Sequence, residues 1–142
     1  MRKISFKILV FPIFVLIAAF PFFANAENYN FYVDKNYAGQ EDGSVEKPFT
    51  SVKKAIERAA QERNGLRKIY IREGEYAEDI VIENSVKLFG ENKEKTILKV
   101  ISPTINLIGN NKLKDLTISG GVSALTVQGE AIIENCIIKD AN

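Results

Sequence analysis

Shifting this chain by twenty residues places Ile105 on Leu125, Leu107 on Val127, Gly109 on Gly129 and Leu113 on Ile133. The same shift then places Asp115 on Asn135, Leu116 on Cys136 and Ile118 on Ile138. Aliphatic falling on aliphatic and glycine on glycine at one fixed offset is the constraint that most narrows the fold. A unit of this length cannot bury its own apolar face and has to stack on a neighbour. Going backwards, a shift of nineteen places Val86 on Ile105, Leu88 on Leu107 and Gly90 on Gly109. One extra slip brings Leu98 and Val100 onto Leu116 and Ile118.

Inside each unit the apolar period is two. Ile69-Tyr70-Ile71, Ile80-Val81-Ile82, Val86-Lys87-Leu88, Ile105-Asn106-Leu107, Leu116-Thr117-Ile118, Leu125-Thr126-Val127 and Cys136-Ile137-Ile138 each send two residues to one face. Gly74, Asn84-Ser85, Gly90, Gly109-Asn110, Gly120-Gly121 and Gly129 separate them as turns. An antiparallel sandwich would also show frequent turns, but not this identity from unit to unit. The pattern therefore predicts a mainly β protein, a right-handed parallel β-helix with Ile, Leu and Val stacked inside and Lys, Glu and Thr pointing out. Asn at the turns is expected to form ladders between coils.

Three segments follow. Residues 1–26 read as a secretory signal peptide: Arg2, Lys3 and Lys7, an apolar run from Ile8 to Phe23, then Ala24-Asn25-Ala26 as the cleavage site; the alternative is an uncleaved membrane anchor, for which the run is slightly short and carries Pro12 and Pro21. Residues 27–66 carry a short strand at Phe31-Tyr32-Val33, a loop from Asp34 to Pro48 and an amphipathic helix over Val52–Arg63. Its apolar residues Val52, Ala55, Ile56, Ala59 and Ala60 share one face, which suits it to cap the open end of the first coil. Thr50 or Ser51 serves as N-cap, and Asn64-Gly65 ends the helix. Residues 67–142 are the first coils, read as the start of a longer solenoid because Lys139-Asp140-Ala141-Asn142 makes no C-terminal cap. An open last coil allows end-to-end self-association or further coils of a longer chain. Export puts the protein outside the cytoplasm, secreted or at the cell surface, and clear of the membrane once the signal is cut.

Composition removes several chemistries. The 142 residues contain no His and one Cys, so a Ser-His-Asp triad, a Cys-His pair, a His-bearing zinc site and an internal disulfide are all excluded. With 19 Lys+Arg against 18 Asp+Glu, no basic field argues for nucleic acid. Cys136 aligns with Leu116 and is expected in the core. Among what remains, Asp34, Asn36 and Asp42 are the metal candidates, for calcium, set against Asx-turns in a loop. Counted as an EF-hand from Asp34, the loop lacks the ligands at the fifth and twelfth positions, Ala38 and Val45. Glu73, Glu75, Glu78, Asp79 and Glu83 form an acidic cluster, read as a solvated edge or a carboxylate pair for glycoside chemistry. Arg67, Lys68 and Arg72 could hold an anionic sugar or pair with those acids. Tyr29, Tyr32, Tyr37, Tyr70 and Tyr76 offer either a stacking platform for sugar rings or packing around the cap.

Tyr32-Val33-Asp34, Asp42-Gly43-Ser44, Pro48-Phe49 and the helix after them resemble the start of secreted proteins of the pectin-lyase-like superfamily. The run Gly74-x-Tyr76-x-Glu78-x-Ile80-x-Ile82, then Val86-x-Leu88-x-Gly90, is similar to the first coils of its pectinesterases and polysaccharide lyases. The resemblance spans about residues 31–140 and implies the β-helix fold, with Asp42, Gly43, Pro48, Gly74, Tyr76, Glu78 and Gly90 as structural positions. It implies no catalytic residue, because the catalytic Asp and Arg residues and the calcium-binding acids of these enzymes belong to later coils. Fold alone does not select an activity. Three readings stand: a non-catalytic module that contacts polysaccharide on the outside of its coils; the N-terminal part of a carbohydrate-active enzyme whose catalytic residues lie past Asn142; and a structural or adhesive surface protein.

Overall fold

A computed structural model describes residues 28–65, 67–83, 85–101, 105–121 and 125–139. The signal segment lies outside the described residues. The described chain is a parallel β-solenoid of about 3 turns. Its strands are β1 (Phe31–Val33), β2 (Lys68–Ile71), β3 (Gly74–Glu78), β4 (Val81–Ile82), β5 (Lys87–Gly90), β6 (Thr96–Val100), β7 (Ile105–Ile108), β8 (Asn111–Lys114), β9 (Thr117–Gly120), β10 (Leu125–Gln128), β11 (Ala131–Glu134) and β12 (Ile137–Lys139). They stack as three sheets: β1-β2-β5-β8-β11, β10-β7-β4 and β12-β9-β6-β3. Every pairing between strands is parallel. A sheet built this way sends alternate residues inward, and Ile69, Ile71, Ile82, Leu88, Leu98, Leu107, Leu113 and Ile118 are completely buried there.

The twenty-residue offset holds at the C-terminal end. Ile105 lies opposite Leu125, Leu113 opposite Ile133 and Ile118 opposite Ile138. Upstream, two of the sequence alignments are out of register. Leu88 stacks on Leu113, twenty-five positions on, and not on Leu107, whose neighbour is Ile82. Leu98 and Val100 stack on Ile118 and Gly120, not on Leu116 and Ile118. The first follows from a longer connection, Glu91–Lys95, between β5 and β6, where β8 and β9 are joined through Asp115 and Leu116 alone; the second pairing keeps the twenty-residue offset, without the extra slip.

That longer connection is tied down along the stack. The Thr117 hydroxyl donates to the Lys93 carbonyl, and Lys93 Nζ donates to Asn135 Oδ1 at 3.0 Å. Asn135 Nδ2 donates in turn to Asp115 Oδ1, so the rung expected between asparagines of successive turns is made here by Asn with Asp. Asp115 and Asn135 hold φ of 56° and 51°, a left-handed geometry that Asp and Asn tolerate better than other non-glycine residues.

The helix, α1 (Val52–Ala60), packs on β1, β2 and β3 at the start of the stack, with Val52, Ala55, Ile56 and Ala59 buried. Ser51 is its N-cap, its side chain accepting from the Lys54 N–H at 3.2 Å. The helix ends three residues before the expected Arg63. The Gln61 N–H donates to the Arg58 carbonyl at 3.2 Å and the Glu62 N–H to the Ala59 carbonyl at 3.1 Å, i→i−3 bonds that close the helix end without another turn. Cys136 is half-buried against the core, and burial pushes its thiol pKa up.

Candidate functional site

The outer face of the five-stranded sheet carries two rows of side chains in register. In the first, Tyr32 of β1, Tyr70 of β2 and Phe89 of β5 lie opposite one another, followed by Lys114 and Glu134. In the second, Lys68, Lys87 and Lys112 lie opposite one another, followed by Ile132. Both rows result from the two-residue period. The residues between them, such as Ile69, Leu88 and Leu113, turn inward to the core.

The first row is an aromatic strip. The Tyr32 and Tyr70 ring centroids are 5.9 Å apart, and Tyr29 lies against both and against Phe89, at 6.1, 4.9 and 5.2 Å. Phe89 is covered, whereas Tyr29, Tyr32 and Tyr70 remain partly exposed. Burial, with Glu91 nearby, raises the Tyr70 phenol from 10.0 to about 12. Lys112 Nζ sits 6.0 Å from the Phe89 ring centroid and joins the two rows.

The second row is a line of like charge. Lysines directly opposite on neighbouring strands disfavour the fold by a few tenths to about 1 kcal/mol per pair. Glu134 relieves one end, with carboxylate oxygens 2.8 Å from Lys112 Nζ and 3.0 Å from Lys114 Nζ, and these two cations hold its carboxyl below the usual range. Among the described residues, Lys68 and Lys87 enter no ion pair. A cavity of about 270 Å³ opens beside the row, lined by Lys87, Asn110, Asn111, Lys112, Glu130 and Ile132. Asn111 is buried, and among the described residues its Oδ1 has no hydrogen-bond partner.

The other sequence candidates are engaged elsewhere. Asp34 accepts from the Asn36 N–H at 2.9 Å and pairs with Arg72 at 2.9 Å; Asp42 accepts from the Ser44 N–H at 2.9 Å. These are the Asx-turns weighed against calcium. Among the described residues, no group of three or more carboxylate, thiol or imidazole side chains converges to hold a metal ion. Gly43, at φ +85°, lies so close to the Phe49 ring that a Cβ would fall 2.4 Å from it. Pro48 is buried beside it.

The acidic cluster is dispersed. Glu73 pairs with Lys95 and Glu75 with Lys99, while Glu78 reaches the helix N-terminus. Asp79 and Glu83 line a separate cleft of about 310 Å³ with Lys53, Ile56, Glu57, Ala60 and Val81. Tyr76 is buried, its hydroxyl donating to the Arg72 carbonyl at 3.0 Å, and burial raises its pKa to about 12.

Tyr70 and Tyr76 stay protonated in the folded chain up to about pH 12, whereas the unfolded phenols ionise near 10.0. The unfolded state therefore loses protons first, so stability is intact below pH 10 and declines as pH rises from there to about 12. Phenolate absorbance should show two tyrosines titrating late, and Tyr76→Phe should flatten the alkaline fall in melting temperature. A single titration of all tyrosines near 10 would contradict this.

No family model, no curated protein and no solved structure matches this chain.

Proposed function

We propose that this chain is an exported, extracytoplasmic module that contacts polysaccharide through the outer face of the β1-β2-β5-β8-β11 sheet, without catalysis by these coils. In this reading the solenoid is right-handed and of the pectin-lyase-like type, and residues 1–26 direct its export. One observation carries the proposal: Tyr29, Tyr32 and Tyr70 form a continuous, partly exposed aromatic strip on a rigid sheet. Sugar rings present apolar C–H faces that stack on aromatic rings, while the phenol oxygens meet sugar hydroxyls. The placement of the acids also supports a non-catalytic role, since Glu73, Glu75 and Glu78 are each committed to a partner.

Affinity electrophoresis of the mature chain against a panel of soluble polysaccharides tests this. At least one polymer should retard it, and Tyr32→Ala with Tyr70→Ala should weaken that binding by roughly tenfold, at about 0.5–1.5 kcal/mol per aromatic contact. Sheet content by circular dichroism should be unchanged. Retardation that is insensitive to the double variant, or no retardation by any polymer, would overturn the reading.

A further inference from the structure

We propose that two copies of this chain associate through the open turn β10-β11-β12 as a closed two-fold dimer. The ground is a break in burial at that end of the stack. Val127, Ile133 and Ile138 are 44%, 40% and 47% exposed, although they lie opposite Leu107, Leu113 and Ile118 of the preceding turn, each 0% exposed. These side chains belong to the inward row, so the apolar interior of the solenoid stands open at this turn. Among the described residues, β10, β11 and β12 each pair on one side only, which leaves a row of free backbone groups on the other. The opposite end is covered: α1 lies there on β1, β2 and β3 with its apolar face buried. A stack with one open end cannot add copies head to tail. It meets a second copy open end to open end, an isologous contact that stops at two. The contact uses the end of the stack, not the outer face proposed for polysaccharide.

A two-fold axis across the end reverses chain direction, so the strands of the two copies meet antiparallel. With β10 facing its own copy, β11 faces the partner's β12. The backbone groups of Glu130, Glu134 and Ile137 are directed to the preceding turn, in bonds with Asn111, Asp115 and Leu116. By alternation, those of Ala131, Ile133 and Ile138 point to the open side. Setting Ala131 opposite the partner's Ile138 therefore joins open-facing groups on both strands. The same register sets Ile132, 60% exposed, opposite the partner's Ile137, and Glu130 opposite the partner's Lys139. Glu130 and Lys139 are exposed, and among the described residues neither has an ion-pair partner. The two-fold makes this pair twice, with Cβ atoms about 5 Å apart. Were β11 to face itself about Ile132, Glu130 would instead oppose Glu134. Acid meeting base and apolar meeting apolar in one register identify the occupant as a second copy. Each side offers eleven strand residues, fewer than the roughly 20–30 of a standard interface, so the dimer is reversible, with a Kd of about 10 μM.

Sedimentation equilibrium of the mature chain, at concentrations on either side of about 10 μM, should show monomer and dimer in reversible exchange and no larger species. Glu130→Lys and Lys139→Glu each turn two attractions into two repulsions and should each weaken the dimer by at least about tenfold. The double exchange restores the pair with its signs reversed and should return the dimer to within about threefold of the parent. Melting curves by circular dichroism establish that the variants fold. Glu130→Gln with Lys139→Gln, which removes the charges without reversing them, supplies the comparison if a reversed variant folds poorly, with an expected loss of roughly threefold to tenfold. A monomer at every concentration overturns the proposal. So does a dimer indifferent to both single reversals, or one that the double exchange fails to rescue, since the contact then lies elsewhere. Species that keep growing with concentration overturn the closed two-fold in favour of open stacking.

Discussion

Replacing Glu78 by Ala is expected to destabilise the folded chain by about 3 kcal/mol, with loss of the helix before the sheets. Glu78 belongs to β3, yet its carboxylate sits at the N-terminus of α1, accepting from the Ser51 hydroxyl at 2.7 Å, the Val52 N–H at 3.0 Å and the Lys53 N–H at 2.8 Å. The first amides of a helix have no partner inside it, and their dipoles favour a negative charge. The first turn of α1 contains no acid of its own, so Glu78 supplies that charge from the solenoid. Hydrogen bonds to an ionised group contribute about 1.5–3 kcal/mol each, and partial solvation lowers the sum. A nine-residue helix does not persist alone in water. Without the carboxylate it should fray from β1 and β2, exposing Val52, Ile56 and the first inward row. Urea denaturation followed at a helix-sensitive wavelength and by tyrosine fluorescence should show two separated transitions in Glu78→Ala. Glu78→Gln should fall between the variant and the parent. A loss under about 0.5 kcal/mol would mean that packing alone seats the helix.

The role of Glu78 shows where sequence reading stops. The alternation of Ile, Leu and Val across each strand is local and exposes the inward face, and the equal lengths of the last turns make the offset of twenty visible between Ile105 and Leu125. Near Leu88 the offset changes, because a connection can lengthen without disturbing the strands on either side. Any alignment that assumes a constant unit then drifts. Whatever depends on register was hidden with it. Lys68, Lys87 and Lys112 are separated by nineteen and then twenty-five positions and form a column only once β2, β5 and β8 are paired. Phe89 was likewise absent from the aromatic set read from the sequence, although Tyr29, Tyr32 and Tyr70 were in it. Glu78 stood out through the spacing Gly74-x-Tyr76-x-Glu78, but its partners lie more than twenty residues away on another element. Composition stated the chemistry available, and the stack decided which groups meet.

Gly90→Ala tests the stack at its tightest point and is expected to cost about 3 kcal/mol, while the same exchange at Gly39 should cost under about 1 kcal/mol. Gly90 ends β5 opposite Ile71, with the next turn of the solenoid directly beneath it. A Cβ there would lie 2.2 Å from the Asp115 carbonyl oxygen, 2.9 Å from its carbon and 2.9 Å from Leu116 Cβ. Those are backbone and core atoms, so relief requires the two turns to separate. Asp115 is poorly placed to give way, since it holds a left-handed φ of 56° and accepts from Asn135 in the turn beyond. Separation would also strain the Thr117 hydroxyl bond to the Lys93 carbonyl and the tie from Lys93 to Asn135. At Gly39 the added methyl meets only the far end of Tyr37, with its hydroxyl at 2.5 Å, and that side chain can swing toward solvent. The two substitutions have the same composition and the same loss of chain freedom, so the difference between their urea midpoints isolates contact between turns. Equal midpoints would mean that β5 and β8 approach each other less closely than this register requires.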